Sequence, residues 1–261
     1  MVAGTKLLAF AHEEPGTRWP ATEPTTTAVP QGDGYLLTGI KNPVPHGDCA
    51  DHLVVSAKLR DGGTGLFLTA ADAAGVTRTS YRTFDERRGA QIEFTSAPAE
   101  LLSGGDPQAA LAIATARAQA SLCAESLGAM EESLRLTTDY LKTRQQFGVT
   151  LSKFQTLAHR AADMYVSLEL ARSMSLYATA ALEDAVPDPL IASRARLQVG
   201  RSARHITQES IQMHGGIGIT TEYPVSHYAA RLTAIARTLG GDLEHLRVLT
   251  DRVADHTLVE F

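Results

Sequence analysis

The sequence predicts an α+β protein, in which an antiparallel β-barrel or sandwich comes first and an up-down helical bundle follows. Residues 1–103 contain short segments rich in Thr, Val, Tyr and Phe, separated by turn signals such as QGDG and RDGGTG. In residues 104–261 the apolar positions instead recur every three or four residues, in long segments with short breaks. Short connections make long helices antiparallel neighbours. Two domains, 1–103 and 104–261, are therefore expected.

Seven segments of the first domain have the composition of strands. In QIEFTS the apolar residues Ile92 and Phe94 alternate with polar ones, as in a strand with one buried face. Short strands at this spacing are typical of a barrel or a sandwich. The predicted strands are KLLAFAHE, TTTAV, GYLLTGIK, HLVVSAKL, TGLFLTAA, GVTRTSYRTF and AQIEFTSA.

The second domain begins with a helix-start signal. Asp106 suits the N-cap and Pro107 suits the first helical turn. No proline follows before Phe147, so the first helix is expected to reach Phe147 and to end at Gly148. Ser152 is expected to cap the second helix.

The later helices follow from periodicity and from chain breaks. VPDPL ends the second helix, a third long helix reaches Gln212, and two shorter helices are separated by Gly240 and Gly241. The apolar residues that share one face of the second helix are Phe154, Leu157, Ala161, Met164, Leu168 and Ala171. Small residues that favour close helix–helix packing in an oligomer are Ala161, Ala162, Ala171, Ala178 and Ala181.

Composition and charge exclude several classes of protein. The net charge of −5 argues against a nucleic-acid-binding surface. No apolar run approaches the ~20 residues of a membrane span, and the first residues do not resemble a signal peptide, so a cytoplasmic protein without a membrane partner is expected. The two cysteines, Cys49 and Cys123, lie far apart without metal-ligand spacing, so both are expected to be reduced.

The stretch QMHGGIGITTEYP lies between two predicted helices. Three of the four residues in GGIG are glycine, which is more than a turn requires. One glycine in the left-handed conformation ends a helix, whereas further glycines permit close approach by another backbone or by a ligand. The spacing leaves both interpretations open, an ordinary helix C-cap with a loop and a ligand-binding turn.

Two long motifs resemble the C-terminal helical domain of acyl-CoA dehydrogenases: YLKTRQQFGVTLSKFQTLAHRAADMYV and IQMHGGIGITTEYPV. The segments LLAFAHEEPG, GDGYLLTGIK and ADHLVVSA resemble the middle β-domain of that family, so the resemblance covers the whole chain. LCAESLGAMEESLRLTTDYLKTRQQFG and HYAARLTAIARTLGGDLEHL most closely resemble the small subunit of pimeloyl-CoA dehydrogenase and of related steroid-degrading heteromeric enzymes.

The resemblance implies FAD as the cofactor, held mostly by a neighbouring subunit. In this family the Gly-Gly-x-Gly turn lies against the adenine-diphosphate half of FAD. Gly215 and Gly216 are then expected to bring backbone N–H groups to the pyrophosphate, and Gln212 to add a side-chain hydrogen bond. Arg144 is expected to bind the same pyrophosphate, and Phe147 to pack on the cofactor. Taken alone, Arg144 is typical of a solvated cation at a helix end, but together these residues match the family pattern.

The chain departs from the family pattern in its β-domain and before it. The family's N-terminal helical domain is expected to be absent here, by truncation or by gene structure. Glu13 in HEEP replaces a threonine near the flavin, and Pro43 and Pro45 in NPVPHGD replace a Trp-x-Thr stretch. A proline offers no hydroxyl and no N–H donor. The chain is therefore not expected to hold an isoalloxazine ring on its own.

The catalytic base of the family also has no counterpart here. Depending on a register choice of one residue, the base position is Leu239 or Gly240, and in members that carry the base in the first long helix it falls near Ala118. None of these side chains can remove a proton. Nearby carboxylates that are out of register, and that are expected to be solvated or structural, are Glu125, Asp242 and Glu244.

The resemblance implies FAD-dependent α,β-dehydrogenation of an acyl-CoA thioester, with electrons passed to an electron-transfer flavoprotein. The leading hypothesis is a non-catalytic small subunit that completes the FAD site of a partner in a homo- or hetero-oligomer. Two alternatives stay open. One is a self-sufficient dehydrogenase with a relocated base, for instance Glu125, and the other is a non-enzymatic helical assembly scaffold.

Overall fold

The residues that the computed structural model describes are 3–16, 23–102, 105–183 and 188–255. The chain divides into two compact units, Met1–Leu111 and Ala112–Phe261, which we call the β unit and the helical unit. This architecture confirms the predicted α+β fold class. The predicted boundary at residues 103 and 104 lies outside the described residues.

The strands of the β unit are β1 (Leu8–Ala11), β2 (Thr27–Gln31), β3 (Gly34–Pro45), β4 (His52–Leu59), β5 (Thr64–Ala70), β6 (Val76–Arg82) and β7 (Arg88–Leu101). Within this sheet β4 pairs with β2, β2 with β3, β3 with β7, β7 with β5, and β5 again with β4. These pairings close a barrel. The remaining strands extend the sheet, β1 beside β4 and β6 beside β7.

Each segment predicted as a strand overlaps one of these strands, and HLVVSAKL matches β4 at both ends. β2, β3 and β7 extend beyond the segments predicted for them. In β7 the buried residues Ala90, Ile92 and Phe94 alternate with half-buried Gln91 and Glu93, which confirms the pattern predicted for QIEFTS. The predicted antiparallel pairing is wrong at β4, which runs parallel to both β1 and β2. Parallel neighbours need a crossover connection, and the alternation of side chains within a strand carries no information about it.

A buried ion pair lies inside the β unit. Lys41 Nζ lies 2.7 Å from Glu14 Oε1, and the two side chains are 0% and 3% exposed. The ammonium also donates hydrogen bonds to the carbonyl oxygen of His12 at 3.0 Å and to the hydroxyl of Ser56 at 3.2 Å. Other fully buried side chains of the unit include Leu37, Val44, Leu53, Val55, Phe67 and Ile92.

The helical unit contains α1 (Pro107–Thr143) from Ala112 onwards, a hairpin of β8 (Gln145–Gln146) and β9 (Val149–Thr150), α2 (Gln155–Ala180), α3 (Pro189–His214), α4 (Pro224–Ile235) and α5 (Asp242–Asp251). Short 3₁₀ turns occur at Leu151–Lys153, Ala181–Glu183, Gly215–Ile219 and Val253–Asp255. The core that joins the long helices includes Cys123, Met130, Met164, Leu168, Ala195, Ile206 and Leu232.

The first helix ends earlier than the sequence predicts. α1 stops at Thr143 instead of Phe147, because the next residues form the hairpin of β8 and β9. Phe147 and Gly148 are the two central residues of its turn, with φ of 54° and 81°. A two-residue turn of this kind requires positive φ at both positions. Gly148 therefore serves the hairpin and does not end a helix.

Ser152 does not cap the second helix as predicted. It lies in the 3₁₀ turn Leu151–Lys153, where its hydroxyl contacts that of Thr150 at 3.0 Å. Phe154 takes the N-cap position of α2, without a side-chain cap bond. The hydroxyl is thus used by a local contact of the kind that competes with capping.

The prediction for the start of α1 is confirmed, since the Asp106 carboxylate accepts a hydrogen bond from the backbone N–H of Gln108 at 2.9 Å.

α3 continues beyond the predicted end at Gln212 to His214. On α2 the predicted apolar face is buried at Met164, Leu168 and Ala171, and half-buried nearer the start of the helix.

Both cysteines are free thiols, as predicted. Within the described ranges, no helix is both long and apolar enough to cross a membrane. The same part of the chain contains no cluster of His, Cys, Asp and Glu side chains that could hold a metal ion.

Candidate functional site

The ends of α1 and α3 meet through aromatic rings. The ring centroids of Tyr140 and His214 lie 4.6 Å apart, and those of His214 and Tyr223 lie 4.9 Å apart. Tyr140 is in the last turn of α1, His214 is the last residue of α3, and Tyr223 takes the N-cap position of α4. We call these three residues the aromatic stack. It brings three helix ends to one place.

Arg144 directly follows α1, one turn beyond Tyr140. Its backbone N–H donates to the carbonyl oxygen of Tyr140 at 2.8 Å. The side chain is exposed, and among the described residues no ion pair to it is found. Phe147, at the tip of the hairpin, is 90% exposed, and its ring touches that of Phe154 at a centroid distance of 6.2 Å.

The three glycines of GGIG differ in whether and why the structure requires glycine at each position. Gly215 takes the C-cap position of α3 with φ of 65° and ψ of −142°, outside the left-handed α region of the usual cap but in a positive-φ conformation that favours glycine. A Cβ on Gly218 would lie 3.0 Å from Cβ of His214 and 3.1 Å from the carbonyl oxygen of Ile211, so Gly218 is required by packing. Gly216 has neither constraint, because its φ is not positive and a Cβ there would meet no atom within 4 Å. The turn is therefore a helix C-cap that also leaves open room beside Gly216.

The five residues predicted to bind a cofactor all lie on the described surface of the helical unit. Arg144 and Phe147 follow α1, while Gln212, Gly215 and Gly216 lie at the end of α3. All five are exposed, and the aromatic stack joins the two helix ends that carry them. A guanidinium, an amide and unobstructed backbone on two joined helix ends fit the chemistry of a phosphate-containing ligand.

The positions predicted for a catalytic base adjoin each other. The side-chain amide of Gln119, the residue after Ala118, donates to the carbonyl oxygen of Leu239 at 3.1 Å. Leu239 and Gly240 have φ of 54° and 101° in the loop between α4 and α5. The predicted base position in α1, Ala118, therefore lies near the predicted base position in the loop, Leu239 or Gly240. None of these three side chains can accept a proton.

A buried arginine holds the loop that carries Leu239. Arg196 is 4% exposed, and its Nη2 donates to the carbonyl oxygens of Ile235 at 2.7 Å and Thr238 at 2.9 Å. These carbonyls lie at the C-terminal end of α4, where backbone acceptors lack helical partners and a cation is favoured. The loop is therefore fixed with an apolar side chain at the predicted base position.

The neighbouring carboxylates lie in structural surroundings. Both oxygens of Glu125 accept hydrogen bonds from Arg231 at 2.7 Å. Asp242 pairs with Arg204 at 2.6 Å. Glu244 lies in the first turn of α5, where the helix dipole favours a carboxylate. Glu125 and Asp242 are therefore already engaged as ion-pair partners.

In the β unit the two stretches that depart from the family pattern lie side by side. The backbone N–H of Asn42 donates to the carbonyl oxygen of Glu13 at 2.8 Å, and the hydroxyl of Tyr81 donates to Asn42 Oδ1 at 2.7 Å. Pro43 and Pro45 are exposed on β3. This surface presents proline rings where the resemblance leads one to expect hydrogen-bond donors.

A second surface lies on α2, opposite its buried face. We call it the outer stripe of α2, and its members are Tyr165, Val166, Leu170, Leu176 and Tyr177. These side chains are between 43% and 64% exposed. Residues three, four and seven apart share one side of a helix, so Val166, Leu170 and Tyr177 lie in one row, and Tyr165 and Leu176 lie beside it on the same outer side. Exposed apolar side chains grouped on one side of a helix mark interaction sites.

Sequence reasoning missed the aromatic stack. The signal was a histidine directly before the glycines of QMHGG, combined with a tyrosine one turn before Arg144. Neither residue alone indicates a ring contact, because the two are brought together only where the ends of α1 and α3 meet.

The comparisons with known proteins give one family. Residues 108–254 match the family model "Acyl-CoA dehydrogenase, C-terminal domain". The chain is similar to the acyl-CoA dehydrogenase FadE27 of Mycobacterium tuberculosis, with 29% identity over 266 residues that cover 97% of this chain and 69% of that protein. It spans about two thirds of the length of the curated relatives that it matches.

Two solved structures have the same fold and related sequences. A variant of the steroid ACAD Tcur3481-Tcur3483 superposes with a TM-score of 0.88 and 36% identity, covering 97% of this chain and 69% of the other. A chain of the ChsE4-ChsE5 complex from Mycobacterium tuberculosis superposes with a TM-score of 0.85 and 27% identity, covering 98% and 69%. With the family model matched along most of the helical unit, the chain belongs to the acyl-CoA dehydrogenase family.

Proposed function

We propose that this chain is a subunit of a heteromeric acyl-CoA dehydrogenase and that it completes an FAD site whose ring pocket and base belong to its partner. Acyl-CoA dehydrogenases are FAD-dependent oxidoreductases that act on the CH–CH bond of acyl-CoA thioesters. The observation that carries the proposal is the exposed Arg144, without an ion-pair partner among the described residues, at a helix end that the aromatic stack joins to the open glycine turn. A diphosphate is the part of FAD that such a surface suits.

Each of the five surface residues has a separate task in this proposal. Arg144 donates to phosphate oxygens through its planar fork. Gly215 and Gly216 let the ligand approach the backbone, since no Cβ stands in the way. Gln212 adds an amide donor, and Phe147 covers the cofactor with an exposed ring. When bound, FAD supplies the hydride acceptor for the β-hydrogen of the thioester.

A supporting role follows from what the chain does not offer. Proton abstraction from the α-carbon needs a base within hydrogen-bond reach. Leu239, Gly240 and Ala118 provide none, and Glu125 is bound on both oxygens by Arg231. The prolines on β3 and the carboxylate of Glu13 replace donors near the flavin ring. The lack of a catalytic base at the predicted positions and the lack of donors for the flavin ring, both in one chain, favour a subunit that assists a catalytic partner.

The partner in this proposal is another acyl-CoA dehydrogenase chain. The outer stripe of α2 is an apolar surface that suits a subunit interface. The similar structures are described as Tcur3481-Tcur3483 and as the ChsE4-ChsE5 complex, which supports a heteromeric assembly. The similarity to a steroid ACAD favours a steroid-derived acyl-CoA thioester as the substrate of the assembled enzyme. Electrons from the reduced flavin would pass to an electron-transfer flavoprotein.

Co-expression tests this proposal. The chain is purified alone and together with an acyl-CoA dehydrogenase encoded beside it, and the flavin spectrum and turnover of both preparations are measured. Flavin and turnover only with the partner are the expected result. Flavin and turnover in the isolated chain would instead support a self-sufficient dehydrogenase. No flavin in either preparation would support an assembly scaffold.

The isolated chain is expected to show no turnover above background. The assay supplies excess FAD, a panel of acyl-CoA thioesters and an artificial electron acceptor. Turnover is not expected because the side chains of Leu239, Gly240 and Ala118 cannot act as a base. The measurement is reduction of the acceptor. Turnover that a single Glu125→Gln or Glu244→Gln change abolishes would overturn the supporting role and make this chain catalytic.

Arg144→Ala is expected to weaken FAD retention in the assembled enzyme by about 1.5–3 kcal/mol, the range for a hydrogen bond to a charged group. The change removes a charge-assisted contact to the diphosphate. The measurement is the FAD remaining after dialysis of the complex. Lys142→Ala, which removes an exposed cation from the same end of α1, is the matched control and should have little effect. Equal FAD retention by the wild-type and Arg144→Ala complexes would contradict this placement of Arg144.

A further inference from the structure

The aromatic stack suggests a role for His214 that rests on the proposed function. We propose that His214 is a positioning residue, which aligns the Arg144 end of α1 with the glycine turn so that both contact the same FAD diphosphate. His214 does not reach the cofactor in this proposal. It acts through its neighbours on both sides.

The first step is the contact of His214 with α1. Its ring lies 4.6 Å from the ring of Tyr140, with an angle of 31° between the planes. The carbonyl oxygen of Tyr140 accepts the backbone N–H of Arg144 at 2.8 Å. A shift of Tyr140 therefore moves the backbone that carries Arg144.

The second step is the contact of His214 with the glycine turn. Gly215 follows it directly, and the absence of a side chain on Gly218 lets that backbone lie against Cβ of His214. The ring is also 4.9 Å from the ring of Tyr223 at the start of α4. The histidine thus borders the turn at its beginning, at Gly218 and at its exit.

The third step is that the orientation of the ring is fixed. His214 is 3% exposed, and its Nδ1 lies 2.7 Å from the carbonyl oxygen of Ser210. Because a carbonyl oxygen only accepts, Nδ1 carries the proton and donates it. Burial lowers the pKa of His214, while the bond to Ser210 acts in the opposite direction. A ring fixed on one side by α3 and packed on two aromatic rings can transmit position better than a mobile side chain.

The experiment uses the assembled complex with its FAD. His214→Leu removes the ring and the Nδ1 donor, whereas His214→Phe keeps an aromatic ring in the stack. We expect His214→Leu to speed FAD dissociation by about tenfold, within the range of couplings between residues that share a backbone shift. His214→Phe should restore most of the retention. FAD dissociation is followed by the recovery of flavin fluorescence after dilution.

A double-mutant cycle separates positioning from general stability. If His214 aligns Arg144, then Arg144→Ala should have a smaller fold-effect on FAD dissociation in the His214→Leu background than in the wild-type background. Full additivity of the two changes would overturn the positioning role, even if His214→Leu alone weakens FAD binding. Should His214→Leu not fold, Tyr140→Leu carries the same expectation from the other side of the contact.

The outcomes distinguish this inference from the proposed function. Faster FAD loss from the Arg144→Ala complex with unchanged loss from the His214→Leu complex would overturn the positioning role and leave the FAD site standing. Unchanged FAD loss from both complexes would overturn the FAD site itself, and the role of His214 with it.

Discussion

Replacing Glu14 with glutamine is expected to destabilise the β unit by about 3–5 kcal/mol, the usual loss when one partner of a buried ion pair is removed. Lys41 is fully buried, and its ammonium lies 2.7 Å from the Glu14 carboxylate. The other contacts of the ammonium, to His12 and Ser56, are with neutral groups. Without the carboxylate a buried positive charge has no counter-charge, and its desolvation is no longer offset.

Chemical denaturation of the full chain, with hydrogen exchange resolved to β2 and β3, measures this loss. Glu23→Gln is the matched control, because Glu23 is exposed near the same segment and should change stability little. The double variant Glu14→Gln, Lys41→Met should recover much of the stability, since it removes the buried charge as well. A Glu14→Gln protein as stable as the control would show that the pair is not what holds these strands.

The same carboxylate gives the β unit a defined acid sensitivity. Burial raises the pKa of Glu14, but hydrogen bonds from Lys41, Thr25 and Thr26 outweigh it and lower the pKa to about 2. A folded pKa below the unfolded value means that this stabilisation is complete above about pH 4.5 and is lost as the pH falls towards 2. In the Glu14→Gln protein this contribution to the acid loss should be absent.

How far the sequence predicts the β unit depends on what each pattern encodes. Composition and turn signals located every strand segment, and alternation marked the buried face of QIEFTS, because one buried face imposes a period of two. None of these signals indicates the pair of Lys41 and Glu14, since charged residues are usually exposed. Only the closed sheet brings these two positions together. The parallel neighbours of β4 were missed for a related reason, because pairing partners are distant in sequence.

In the helical unit the errors are at helix ends. The segment TRQQFGVTLS contains neither a proline nor an early glycine, so nothing local marks the end of α1 at Thr143. The hairpin that ends it depends on pairing with Val149–Thr150. Interior positions such as Met164, Leu168 and Ala171 were predicted correctly, because a helix buries one side and the period of the apolar residues records it.

The candidate site also has features that the sequence predicts and features that it does not. The three glycines of GGIG were visible in the sequence, but spacing alone could not separate a helix cap from a ligand turn. In the structure Gly215 takes the C-cap position of α3 with a positive φ, Gly218 is required by packing, and Gly216 has open space. Arg144, Phe147 and Gln212 were named from the family resemblance and not from local physics. Their role in binding FAD stays a prediction that the Arg144→Ala complex tests.

The outer stripe of α2 leads to the second large effect. α2 is apolar on two sides, with Met164 and Leu168 buried inside the bundle and Val166 and Leu170 exposed on the other side. Large apolar side chains grouped on the exposed side of a helix are typical of an interaction surface. In the isolated chain the outer side is not covered, so the proposed partner subunit is the surface that we expect to cover it.

Leu170→Glu is therefore expected to weaken assembly with the partner by on the order of a hundredfold or more, because a carboxylate would be buried at an apolar interface without a counter-charge. The fold of the chain itself should be unaffected, since Leu170 is 51% exposed and surface substitutions rarely change stability by more than about 0.5 kcal/mol. The measurement is the dissociation constant of the complex by sedimentation, with melting curves of the isolated chain.

Gln208→Glu, which adds the same charge at an exposed position of α3, is the control and should assemble like the wild type. Wild-type affinity in the Leu170→Glu protein would exclude the outer stripe as the interface, and a single 27.9 kDa species in the co-purified wild-type preparation would argue against assembly altogether.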